Sequence, residues 1–180
     1  MKIMNSKTGV HHALLLLTWV ALLATLFALL EIQIEGANGW AAGLPTWRMT
    51  HAPVLKMFFG GREITGYHVF AFSFMFCIFH LPLAITGHFS WRMEGRILGS
   101  LMLFWVIEDF LWFVLNPAYG FAKLKPEFVP WHPHWLWGVP VDYIVYTLLS
   151  AALLWATYRR PRARIRETHH ETADSLRLGR

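Results

Sequence analysis

The chain has 180 residues, of which 56% are hydrophobic, 16% aromatic and only 15% charged, with a mean hydropathy of +0.39. That balance excludes a soluble globular domain and describes an integral membrane protein. The formal charge of +5 is not a nucleic-acid signature, because Arg159, Arg160, Arg162, Arg164 and Arg166 fall in one short stretch after the last apolar segment, where they act first as a topology signal.

The first apolar run, 13–30, follows Lys2, Lys7, His11 and His12 and superficially resembles a signal peptide. It is longer than the roughly 7 to 15 residues of a cleavable signal core and continues into Glu31-Ile32-Gln33-Ile34-Glu35, so it is expected to be an uncleaved span. Residues 36–65 mix glycine, proline, aromatic and basic positions and predict a connector with one short surface helix. Further apolar runs cover 67–85, 97–115 and 139–155. Each approaches the roughly 20 residues that cross ~30 Å of hydrocarbon at a rise of 1.5 Å.

The expected architecture is therefore an all-α integral membrane protein, a four-transmembrane-helix bundle with spans at about 13–34, 66–87, 96–116 and 139–158. These form one domain over 1–158, followed by a basic cytoplasmic tail at 159–180. Asn116-Pro117 should stop the third helix. Val139-Pro140 suits the opening turn of the fourth, and Pro82 should kink the second. Lys2, Lys7, Arg92, Arg96 and the tail arginines all fall on one side, which the positive-inside bias makes cytoplasmic, as in a bacterial-type inner membrane or a plasma membrane. Membrane lipids are then the first expected partners, and nucleic acid is not one.

Residues 105–112, WVIEDFLW, set Glu108 and Asp109 inside an apolar run. An ionisable group in hydrocarbon costs at least ~2.5 to 3.5 kcal/mol, so each calls for a partner. Counting along the helices places Glu31, Glu35, His68, Glu108, Asn116 and Asp142 at the extracytoplasmic end, with His132 and His134 in the adjoining loop. Glu108 and Asp109 diverge by about 100° on a helix and cannot both address one neighbour. In Trp131-His132-Pro133-His134-Trp135, the residue before proline is extended, so the two imidazoles are expected on one side.

Paired imidazoles near several carboxylates match the ligand set of zinc, iron, manganese or copper. Glu35, His68, Glu108, His132 and His134 are the expected metal ligands, with Glu108 and Asp109 as the catalytic carboxylates. Haem is disfavoured, since the third and fourth runs contain no histidine to face His68, His80 or His88. The competing account has Arg48, Lys56, Arg62 or tryptophan N–H groups neutralising the acids, with no metal. The first functional expectation is a small membrane enzyme whose metal acts on a lipid-like or hydrophobic substrate. The alternatives are a proton-coupled carrier using Glu108, or a non-catalytic subunit of an oligomer or larger membrane complex.

Overall fold

A computed structural model describes residues 6–50 and 62–159. Its elements in chain order are α1 (Ser6–Glu35), β1 (Arg48–Met49), β2 (Ile64–Thr65), α2 (Gly66–Thr86), α3 (Trp91–Leu115), a 3-10 turn (Phe121–Lys123), β3 (Trp135–Leu136), β4 (Val139–Pro140) and α4 (Val141–Tyr158). The four α-helices are each long and apolar enough to cross a membrane. Their outward positions are apolar as well, among them Leu15, Phe70, Phe74 and Leu148, as expected where lipid is the solvent.

Helix α3 is the centre of the assembly. Ser100, Phe104, Glu108, Trp112 and Asn116 step along it by four and are all buried. Val20, Ala24, Ala28 and Ile32 make the same step on α1 and are buried too, which is the pattern of i±4 rows laid against one another. Phe104 packs with Val20 and Ala24, and Trp112 with Ala28 and Ile32. The two helices run parallel, since Asn116 Nδ2 at the end of α3 donates to Gly36 O just past the end of α1, at 2.9 Å. On the other flank of α3, Gly95 and Gly99 admit α4 closely. A Cβ at Gly95 would lie 2.9 Å from Thr157 Cγ2, and one at Gly99 would lie 3.2 Å from Leu153 and Leu154. Ser150 Oγ donates to Gly99 O at 2.7 Å across this contact, the usual small-residue packing of membrane helices.

The helix boundaries follow local chemistry. Ser90 caps α3 by accepting from the Met93 N–H at 3.1 Å, which starts the helix several residues before the apolar run does. Asn116 ends it, ahead of Pro117, as its sequence predicts. Val139-Pro140 differs from expectation. It forms β4, with Pro140 paired to Trp135, and α4 begins one residue later. The hairpin turn uses Trp137 and Gly138, with φ values of 52° and 78°, the left-handed pair a two-residue hairpin requires. The described part of the first connector holds turns and the β1–β2 pairing rather than a helix. Lys2, Lys56 and the arginines from Arg160 onward lie outside the described residues.

The α3–α4 contact makes a direct prediction. Gly99→Leu should cost about 1 to 3 kcal/mol through overpacking, and Ser150→Ala about 0.6 kcal/mol through the lost interhelical bond. Unfolding of the detergent-solubilised protein measures both, and an unchanged midpoint for Gly99→Leu would show that α4 does not pack on Gly99.

Candidate functional site

The acidic residues expected at one end of the bundle do converge there, but in two sets that α3 keeps apart. Glu108 belongs to the buried stripe of α3 and faces α1, where its carboxyl comes within hydrogen-bonding reach of the Glu31 carboxyl. Glu31 Oε1 also accepts from Tyr67 OH at 2.9 Å, so the first turn of α2 closes a three-helix contact. Phe27, Phe72, Phe104 and Trp105 meet edge to face on the mid-bundle side of this pair. On the opposite side, Trp112 and Phe113 pack with Trp131 and Tyr119. The carboxyl pair therefore lies between two aromatic layers. Glu108 Oε1 and Trp112 Nε1, one helical turn apart on α3, are both buried without a hydrogen-bond partner among the described residues.

Asp109, turned by about 100°, faces α4 and the hairpin instead. Its Oδ2 accepts from Tyr143 OH of α4 and lies 3.1 Å from His132 Nε2. His132 Nδ1 in turn lies 2.8 Å from Asp142 Oδ2. The imidazole thus bridges a carboxylate of α3 and a carboxylate of α4, while Trp135 Nε1 donates to its backbone carbonyl at 2.8 Å and fixes its place. A carboxyl oxygen beside each ring nitrogen favours the doubly protonated imidazolium, in which both nitrogens donate. Burial alone would depress His132, but hydrogen bonds to Asp109 and Asp142 outweigh it and lift the group from 6.5 to about 9.

The remaining expected residues have other occupations. Glu35 Oε1 accepts from the Ala41 N–H, holding a left-handed turn in which Gly39, Trp40 and Ala41 have φ values of 61°, 48° and 51°. That turn places the Trp40 ring 4.3 Å from His68 and 5.8 Å from Trp131. His68 completes the capping box of α2, its Nδ1 2.9 Å from Thr65 Oγ1 and accepting from the Thr65 N–H at 3.3 Å. His134 is exposed, and its carbonyl accepts from the Val141 N–H at 2.9 Å. The two loop histidines therefore do not share surroundings as the alternation about Pro133 predicts. Proline restricts His132 but leaves the next step of the chain free, and the tight hairpin that follows redirects it. Among the described residues, no group of three or more His, Cys, Asp or Glu side chains is arranged to hold a metal ion.

Nor, among the described residues, does a basic side chain neutralise the carboxyl pair; Lys56 lies outside them. Arg48 is taken by Glu63 at 2.5 Å and by the carbonyls of Ala41, Ala42 and Leu44. Arg62 lies over the Trp131 ring at 5.4 Å. Tyr67 and Tyr143 are the functional groups that counting charges along the chain missed. Each sits beside a residue already singled out, His68 and Asp142, at the opening of a helix that points into the acidic end. Comparison with family models, curated proteins and solved structures gives no match, so the site is read from its own chemistry.

The His132 bridge carries a pH dependence of defined sign. Its folded value lies above its ordinary one, so its contribution is complete below about pH 6.5 and is lost as pH rises through about 9. Alkaline unfolding should therefore include a step that Asp142→Asn moves to lower pH, because one of the charges holding the imidazolium is gone. A step that stays in place in Asp142→Asn would belong to another group.

Proposed function

We propose that this chain is a proton-coupled membrane carrier whose exchangeable site is the Glu31–Glu108 carboxyl pair. The observation that carries the reading is the placement of that pair. Two carboxyl groups within hydrogen-bonding reach lie in the seam between two membrane-length apolar helices, with no basic side chain of the described residues bonded to either. Such a pair needs a proton or a cation between its oxygens, since two bare carboxylates there would repel at close range in a medium that screens poorly. A proton satisfies this without a further ligand.

The surroundings suit exchange. Tyr67 OH gives the pair a hydrogen-bonding hydroxyl from α2. Asp109 follows Glu108 directly and opens the chain Asp109–His132–Asp142, whose two acids have side chains 31% and 39% exposed. Titratable groups thus lie on both faces of α3, a closed pair in the seam and a partly exposed set at the rim, and ionisable residues inside membrane helices are the groups that carry protons. On the topology read from the lysine and arginine distribution, this rim is extracytoplasmic.

Infrared difference spectra of the reconstituted protein across a pH step should show a carboxyl band that Glu108→Gln and Glu31→Gln each remove. In proteoliposomes loaded with a pH-sensitive dye, a panel of small organic acids and amines should include a class whose entry moves protons in the wild type and not in Glu108→Gln. Proton movement unaltered in a folded Glu108→Gln variant would overturn the reading. So would a stoichiometric transition metal in the purified wild type that Glu108→Gln loses, which would return the site to a metal enzyme.

A further inference from the structure

The opposite end of the α3–α4 pair, roughly 24 Å along α3 from Glu108, carries a second constellation that the carrier reading does not use. Arg92 and Arg96 lie one turn apart at the start of α3 and reach across to the end of α4. Arg96 Nη2 donates to Thr157 O at 3.1 Å, and Arg92 Nη2 donates to Arg159 O. The two guanidinium groups thereby cap carbonyls that the helix end leaves without intrahelical partners, at the negative pole of its dipole. Arg96 also lies 4.4 Å from the centre of the Tyr158 ring, and the Arg159 guanidinium stacks 3.6 Å from that of Trp155. Three cations are therefore gathered on one rim of the molecule. The acid nearest in sequence, Glu94, is engaged by His80 Nε2 at 3.2 Å.

Capping occupies one nitrogen of Arg92 and one of Arg96, whereas each guanidinium offers five N–H donors in a fixed fork. Arg96 Nε is buried and has no hydrogen-bond partner among the described residues. The rim lies where membrane-length helices end, and it is flanked by two outward-facing indoles, Trp91 and Trp155, at 82% and 60% exposure. Tryptophan at that depth marks the headgroup layer. A planar, multidentate cationic cluster at headgroup depth matches the phosphate of an anionic phospholipid.

We propose that Arg92, Arg96 and Arg159 form a binding site for the headgroup phosphate of an anionic glycerophospholipid at the basic end of the α3–α4 pair. The two arginines that cap α4 then also join the lipid to the helix end, and Arg159, held flat on Trp155, closes the site from the α4 side.

Native mass spectrometry of the full chain in detergent, titrated with phosphatidylglycerol or phosphatidylcholine, tests this. Phosphatidylglycerol should be retained in preference, and the preference should fall roughly fivefold for each arginine neutralised, the usual effect of one basic residue at a membrane surface. Arg159→Gln is the cleanest variant, because only its backbone carbonyl takes part in the cap. Arg92→Gln should act in the same direction, with folding checked by gel filtration. The triple change of Arg162, Arg164 and Arg166 to Gln should leave the preference largely in place. A preference that survives Arg159→Gln and disappears in the triple variant would overturn the site in favour of a diffuse tail effect. Equal retention of the two lipids, or displacement of phosphatidylglycerol by inorganic phosphate at matched ionic strength, would overturn it as well.

Discussion

The meeting of Glu31 and Glu108 across the α1–α3 seam is the constraint on which the rest of the acidic end depends. Carboxyl groups in hydrocarbon cannot be left to find water, so the helices that carry them must be held in one register. The stepped rows on α1 and α3 supply that register. Ala24 and Ala28 remove side-chain bulk where α3 approaches, and Phe104 and Trp112 fill the space above and below the acids. Tyr67 then binds α2 to the same point. The seam is thus apolar through most of its length and polar at one level, which fixes both the sliding and the rotation of α1 against α3.

Once Glu108 is turned toward α1, helical geometry sends Asp109 toward α4. The adjacent acids do separate work. One joins a closed pair inside the seam, and the other holds the His132 bridge that ties the hairpin to two helices. The hairpin leaves Leu136, Trp137 and Val139 exposed rather than packed, and its strands are two residues each. Its position is set by the imidazolium between Asp109 and Asp142 and by the packing of Trp131 against Phe113. Charge pairing holds the rim and apolar packing holds the seam, so the two sets of acids respond to different variables.

Much of this was legible in the chain. The four spans, their ends at Asn116 and near Thr86, and the gathering of acids at one end follow from hydropathy and counting, because a membrane helix has a fixed length. The divergence of Glu108 and Asp109 follows from 3.6 residues per turn. Which acid of α1 would meet Glu108 was not legible. That helix is apolar all round, so no amphipathic face shows its rotation, and only Ala24 and Ala28 in a leucine-rich run hint at the packed side. Arg48 shows the same limit. Its charge is obvious in sequence, but its partners Glu63 and Ala41 depend on a turn whose left-handed residues, Trp40 and Ala41, are not of the types that usually announce one. The α3 start was misplaced because Ser90 and Glu94 begin the helix in polar sequence, before hydropathy rises.

That turn gives the acidic end a mechanical character. Trp40 and Ala41 occupy a backbone region that residues with a Cβ avoid, at a cost on the order of 1 to 3 kcal/mol each. Nothing local in their side chains favours it. They are kept there by Glu35, which accepts from Ala41, and by Arg48, which gathers the carbonyls beyond. The Trp40 indole, resting against His68 and Trp131, is anchored from the far side by its own Nε1, which donates to Glu63 O at 2.7 Å. The costly turn is thus clamped from two sides, by Glu35 at the end of α1 and by the Arg48–Glu63 pair of the connector, so the placement of one indole couples the end of a membrane helix to the loop that follows it.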